Sequence, residues 1–192
     1  MSKLSSLKIA IFGLILAFTS SPLTAQEDAA RAHMDTDAAA WVGNAVLVAG
    51  IKAQNALHAS IDSSEIDAKD KSWRAEVKNG GGAMTASVLA NDVSAFLQEV
   101  RDNSGGLYTE IFVMDNKGLN VGQSDLTSDY WQGDEAKWQQ TYGVGAGAIH
   151  VGEVEFDESS QSYQVQVSVS ISDPATGELI GAVTIGMNAE AL

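Results

Sequence analysis

The chain has 192 residues, 45% of them hydrophobic and 19% charged, with a net charge of −14 and no cysteine. Length and composition fit one globular domain whose core is large enough to hold without cross-links. The acidic excess excludes nucleic-acid backbones and anionic membrane surfaces as partners, and the missing cysteines exclude disulfides, thiolate metal sites and a thiol nucleophile.

At the start, Lys3 and Lys8 precede the apolar run 9–18, and a polar stretch follows that ends in Leu23-Thr24-Ala25 before Gln26. A basic start, a short apolar middle and a small residue at the cut are the parts of a secretory signal peptide. The run is much shorter than the roughly 20 residues that span a bilayer. Residues 1–25 are therefore expected to be cleaved after Ala25, leaving nine basic and 25 acidic residues in a periplasmic protein with no membrane span.

Residues 28–60 lack Pro and are rich in Ala. Met34, Ala38, Trp41, Ala45, Val48 and Lys52 recur at helical spacing, so the pattern predicts one long helix. Its centre, AVLVAGI, is apolar nearly all round. Such a helix buries more than one face, against a sheet or in part against a second copy in a homodimer. The polar stretch that follows has room for a short helix after Ser64, and Gly80-Gly81-Gly82 break the chain. A second helix is expected over Val88, Leu89, Val93, Phe96, Leu97 and Val100, ending near Arg101 before a Gly-containing turn.

After Gly106 the apolar period changes to two. LYTEIFVMD and LNVGQSD form a hairpin about Asn116-Lys117-Gly118, and TSDYWQGDEAKWQQTY is a loop passing into a short helix. Three strands follow, AIHVGEVEFD, SYQVQVSVSISD and GELIGAVTIGMN, parted by ESSQ and by Asp173-Pro174-Ala175-Thr176-Gly177. In the middle strand Val165, Val167, Val169 and Ile171 share the core face, and Gln164, Gln166, Ser168 and Ser170 the wet one. The fold class is α+β, a five-stranded antiparallel sheet with a long N-terminal helix and further helices packed on it.

Tyr130, Trp131 and Trp138, set among Asp134 and Lys137, are the one stretch that combines aromatic and placed polar groups as small-ligand pockets do. Tyr108 and Tyr163 open two strands and are placed to put hydroxyls over the sheet. If 131–138 is helical, its two tryptophans share a face. His150, Glu153 and Glu155 are read as a row on one side of a strand, a spacing that could support a cation. No G-x-S-x-G, H-E-x-x-H or Walker sequence occurs, so no catalytic residue, resident metal or cofactor is assigned.

The strand-turn-strand FVMDNKGLNVGQS, the DYWQGDEAKW segment and the closing hairpin with DPATGELIG together resemble the Cache domains, PAS-like extracytoplasmic sensor modules, most closely the single-Cache type. The resemblance covers roughly residues 28–192. It implies a PAS-like sheet in residues 107–192, preceded by a helical part in residues 26–106. It also implies a pocket lidded by the segment between the second and third strands. In that family the pocket binds amino acids, short carboxylates and other metabolites, and the domain serves a histidine kinase or chemoreceptor. With no second span and no signalling domain after Leu192, the form implied is free-standing, acting through such a partner. Amino-acid-binding members carry an Arg shortly before a Trp-aromatic pair. Here the stretch has acids and Lys137 beside Trp138, so a carboxylate would be held by Lys137 as a point charge. The expected ligand-binding residues are thus Tyr130, Trp131, Asp134, Lys137, Trp138, Tyr108 and Tyr163. The rivals are a ligand-free interaction module docking through its long helix, and a divalent-cation sensor.

Overall fold

The alternating stretches pair into one antiparallel sheet in the computed structural model, which describes residues 22–157 and 162–192. Its strands are β1 (Tyr108–Met114), β2 (Asn120–Gln123), β3 (Ile149–Asp157), β4 (Ser162–Ser172) and β5 (Leu179–Asn188), in the order β2-β1-β5-β4-β3. This is the five-stranded PAS-like sheet expected from the sequence. The β1–β2 turn depends on Gly118, whose φ of +80° suits only glycine well. The same residue approaches Gly133 so closely that a Cβ there would lie 2.6 Å from its backbone.

One face of the sheet carries Ile111, Val113, Val165, Val167, Val183, Ile185 and Met187, and packs on Met34, Leu47, Ile51, Val93 and Leu97 of the helical layer. Each such fully buried aliphatic side chain contributes about 1.5–3 kcal/mol. The helical layer is more segmented than the sequence predicts. The expected long helix is α1 (Pro22–His33), a π-helical turn Met34–Ala38, α2 (Ala39–Val42), and then a separate α3 (Ala45–Leu57). The break lies at Asn44, which turns extended (φ −60°, ψ 140°) and accepts the Val46 N–H on its side chain. Asn is among the strongest N-caps, so a single residue restarts the helix in a new direction. The expected second helix is likewise two, α5 (Ala83–Leu89) and α6 (Asp92–Asp102). There Asn91 caps Ser94 and donates its Nδ2 to the Val121 carbonyl.

The expected short helix after Ser64 is the 16-residue α4 (Ser63–Lys78), opened by a capping box in which Asp62 and Glu65 satisfy each other's backbone N–H groups. The signal-peptide segment 1–21 lies outside the described residues. The expected cut after Ala25 falls within the first turn of α1. No helix among the described residues is long and apolar enough to cross a membrane.

Strand order has a direct consequence for the second face. β2 and β3 stand at opposite edges, so the chain between them must cross β1, β5 and β4. It does so over the face expected to be wet. Ser168 and Thr184 there are fully buried and hydrogen-bonded to each other at 2.8 Å. Phe112, Met114 and Ala182 are covered by Trp138 and Tyr142.

Candidate ligand-binding site

The crossing segment does not seal the whole face. Between it and the sheet lies a cavity of about 440 Å³, with Glu110 and Phe112 of β1 and Gln164 and Gln166 of β4 on one side. Thr127, Asp129, Gln132 and Lys137 of the crossing segment line the other side. An adjoining hollow of about 260 Å³ shares Lys137, Gln164 and Gln166 and continues along β3 past His150, Glu153 and Glu155. That row owes its common side to a bulge. Val151 pairs with Val167 and Val154 with Val165, so one extra residue shifts the alternation between His150 and Glu153. Without it, a three-residue separation would put them on opposite faces.

Polar contacts brace each wall of the cavity, and one cation–π contact spans it. Gln166 donates its Nε2 to Glu110 Oε1 at 2.9 Å, and Thr109 donates its hydroxyl to Gln164 Oε1 at 2.6 Å. Lys137 Nζ sits 2.9 Å from Glu135 Oε2 and 5.3 Å from the centre of the Phe112 ring, a cation–π distance. Burial pushes the Glu135 carboxyl above its ordinary range, against the pull of Lys137. Burial also lowers the His150 imidazole, helped by the charge of Arg31, and so favours its neutral form.

The far wall is held from outside by α4. Asp70 and Arg74 lie one turn apart, with Arg74 Nε donating to Asp70 Oδ2 at 2.6 Å and Nη2 to Asp129 Oδ2 at 3.1 Å. Asp70 Oδ1 accepts the backbone N–H groups of both Tyr130 and Trp131. Burial alone would raise the Asp70 carboxyl, but Arg74 and these two N–H groups hold it below its ordinary range. Trp73, fully buried, donates Nε1 to the Thr127 carbonyl and stacks on Tyr130 at 5.3 Å.

Of the expected site residues, Lys137 lines the cavity. Tyr130 is packed on Trp73 and Leu119, with its hydroxyl driven far above its usual range by burial. Trp131 is half-buried and donates Nε1 to the Lys117 carbonyl, pinning the crossing segment to the β1–β2 turn. Trp138 donates Nε1 to the Asp115 carbonyl and stacks on Tyr142. The helix there is only α7 (Ala136–Gln139), so Trp131 and Trp138 do not share a helical face. Asp134 is exposed. Tyr163 is 53% exposed beside Phe156. Tyr108 lies on the helical side, its hydroxyl 2.7 Å from His33 Nε2 and its ring against Trp41. Among the described residues no three His, Asp or Glu side chains are grouped to hold a metal ion.

Sequence reasoning missed Glu110, Gln132 and the α4 residues Asp70, Trp73 and Arg74. The last three carry a signal, since spacings of three and four set them on one helix face. Gln132 carries none, because only the crossing brings it over β1.

No family model and no curated protein matches the chain. Among solved structures it is similar to the sensor domain of the V. cholerae histidine kinase DctB, with 14% identity over 88% of this chain and 55% of that one, at a TM-score of 0.44. It is similar to the sensory domain of the Campylobacter jejuni chemoreceptor Tlp3, with 14% identity over 88% of this chain and 65% of that one, at 0.42. For the E. coli DcuS sensor domain the figures are 17% identity, 67% and 90%, at 0.40. The chain thus spans between about half and two thirds of the DctB and Tlp3 structures. By its own strand order, with helices packed on one face and a crossing segment on the other, it has a PAS-like α+β fold.

Proposed function

We propose that the chain is a periplasmic, non-enzymatic sensor protein of single-Cache type that binds a small polar metabolite and signals through a partner, a membrane histidine kinase or chemoreceptor. The observation that carries this reading is the polar cavity under the crossing segment. It is small, lined by hydrogen-bonding side chains around one aromatic ring, and roofed by a segment that binding can tighten. A ligand carboxylate would meet Lys137 already paired with Glu135, so it would bind by exchange, displacing a carboxyl that burial makes easier to protonate.

A route from cavity to helical layer supports the sensing role. Trp138 hangs from the backbone oxygen of Asp115, whose buried carboxylate accepts Gln54 Nε2 at 3.0 Å and lies 2.9 Å from His58 Nδ1 at the end of α3. A ligand that shifts Trp138 therefore pulls on α3, and binding selects the arrangement it fits best. Thermal-shift screening of metabolites tests the reading. A true ligand at a hundred times its Kd adds about 2.7 kcal/mol of stability, worth roughly 5–10 °C in a domain of this size. Lys137→Met should weaken that shift. A screen in which no compound moves the transition rejects the reading.

A second reading is favoured by α3, where Val46 is 39% and Leu57 78% exposed beside a groove lined by Ala45, Ala49 and Ala53. In it the chain docks through this helix on a copy of itself or on a receptor. Sedimentation across a concentration range separates a dimer from a monomer.

A further inference from the structure

The helical layer holds a cleft of its own, on the side of the sheet away from the crossing segment. It measures about 490 Å³ and runs over the start of β1, with the π-helical turn and α2 on one wall and α6 on the other. The π-helical turn builds the first wall. His33, Asp37 and Trp41 recur every fourth residue, as do the buried Ala30, Met34 and Ala38. In an α-helix a four-residue step overshoots one turn by about 40°. The wider π turn takes up that drift, so His33, Asp37 and Trp41 all line the cleft while the other set faces the core. Phe96 and Glu99, one turn apart on α6, form the opposite wall.

The polar atoms of the aromatic groups are engaged with one another. His33 Nε2 lies 2.7 Å from the hydroxyl of Tyr108 on the floor, and His33 Nδ1 lies 3.2 Å from Asp37 Oδ2. Burial pushes the Tyr108 hydroxyl above its ordinary range, against the pull of the Trp41 indole N–H. The Trp41 ring stands edge-on to Phe96 and to Tyr108, with 6.4 Å between centres in each pair. Trp41 and Phe96 are only half-buried, and neither ring carries a cation.

Charge then selects the guest. Neither Lys nor Arg lines the cleft. Asp37 is shared between His33 and Thr36, but the exposed Glu99 carboxylate makes no hydrogen bond or ion pair among the described residues. Such a cleft attracts a cation and not an anion. A metal ion is disfavoured, because no three carboxylate or imidazole groups among the described residues are grouped to hold one. A primary ammonium would give up strong hydrogen bonds to water against rings that offer no acceptor. A quaternary ammonium spreads its charge over methyl groups and rests on aromatic rings without that loss.

We propose that this cleft is a second binding site, for a small quaternary ammonium compound seated against Trp41 and Phe96 with its charge towards Glu99. The site is separate from the cavity under the crossing segment and stands or falls independently of the binding reading above.

Calorimetry on the full chain with choline, ethanolamine and dimethylbutanol, the uncharged isostere of choline, tests it. Choline is expected to bind saturably, and the other two about ten-fold more weakly or not at all. Phe96→Leu keeps an apolar side chain but removes the ring, and should weaken choline binding about ten-fold. Glu99→Gln changes an exposed side chain without a partner, and should weaken choline about three-fold, by a factor that shrinks as salt is raised. No saturable binding of choline overturns the proposal and leaves the sheet-side reading standing. Equal binding of choline and its uncharged isostere also overturns it, because the rings would then act only as an apolar surface. Choline binding unchanged in both variants places the cation elsewhere and overturns it as well. Should Phe96→Leu fail to fold, unchanged binding in Glu99→Gln alone has the same force.

Discussion

Gly118 meets two requirements at once, a positive φ and contact with the backbone of Gly133. An alanine there would bear about 1–2 kcal/mol of left-handed strain and would also push the crossing segment off the β1–β2 turn. Gly118→Ala is expected to lower stability by about 2 kcal/mol or more, read as an earlier urea midpoint. A midpoint equal to the parent's would mean that the two backbones do not press on each other. Asp70 gives a pH signature. Its carboxyl is held below its ordinary range in the folded chain, so its stabilisation is present above the unfolded pKa of about 3.9 and fades as pH falls through and below that value. Asp70→Asn should cost about 1–3 kcal/mol at neutral pH through the weakened hydrogen bonds. The gap between variant and parent should close as the parent is titrated below about pH 4, and a gap constant down to the lowest pH would remove Asp70 from the acid response.

At the scale of elements, α4 is the piece whose position decides most about the site. Its composition is polar because it packs on the crossing segment and on α5 instead of on the sheet, and Trp73 is its one fully buried side chain. Trp73→Ala would leave a cavity beside Tyr130 and strand the Thr127 carbonyl, for an expected loss of about 3–5 kcal/mol. Hydrogen exchange should then show residues 127–131 opening before β4 and β5. Uniform loss of protection would mean that α4 supports the whole molecule and not this wall.

The strands and their turns were legible because a period of two survives any packing partner and Gly118 marks its turn. Helix breaks at Asn44 and Asn91 were not, because the apolar spacing runs on past a single capping residue on either side. The length of α4 was hidden by its polarity. Of the cavity, Lys137 could be picked out from its aromatic neighbourhood. Glu110 and Gln166 could not, since they meet only because β5 runs between their strands, Glu110 and Gln166 both pairing with Gly186.

For the whole molecule, the order β2-β1-β5-β4-β3 divides the labour between two faces. One is filled by aliphatic side chains and the helical layer; the other is spanned by a single connection resting on polar and aromatic groups. The first holds the fold, and the second is the face on which the proposed ligand would act. That division also separates the chromophores. Of the four tryptophans, Trp131 and Trp138 belong to the crossing segment and Trp73 donates to its backbone, whereas Trp41 packs with Phe96 and Tyr108 in the helical layer. Three of the four indoles thus report on the crossing segment, and a Trp41→Phe protein would carry an optical gauge of that segment with no added label.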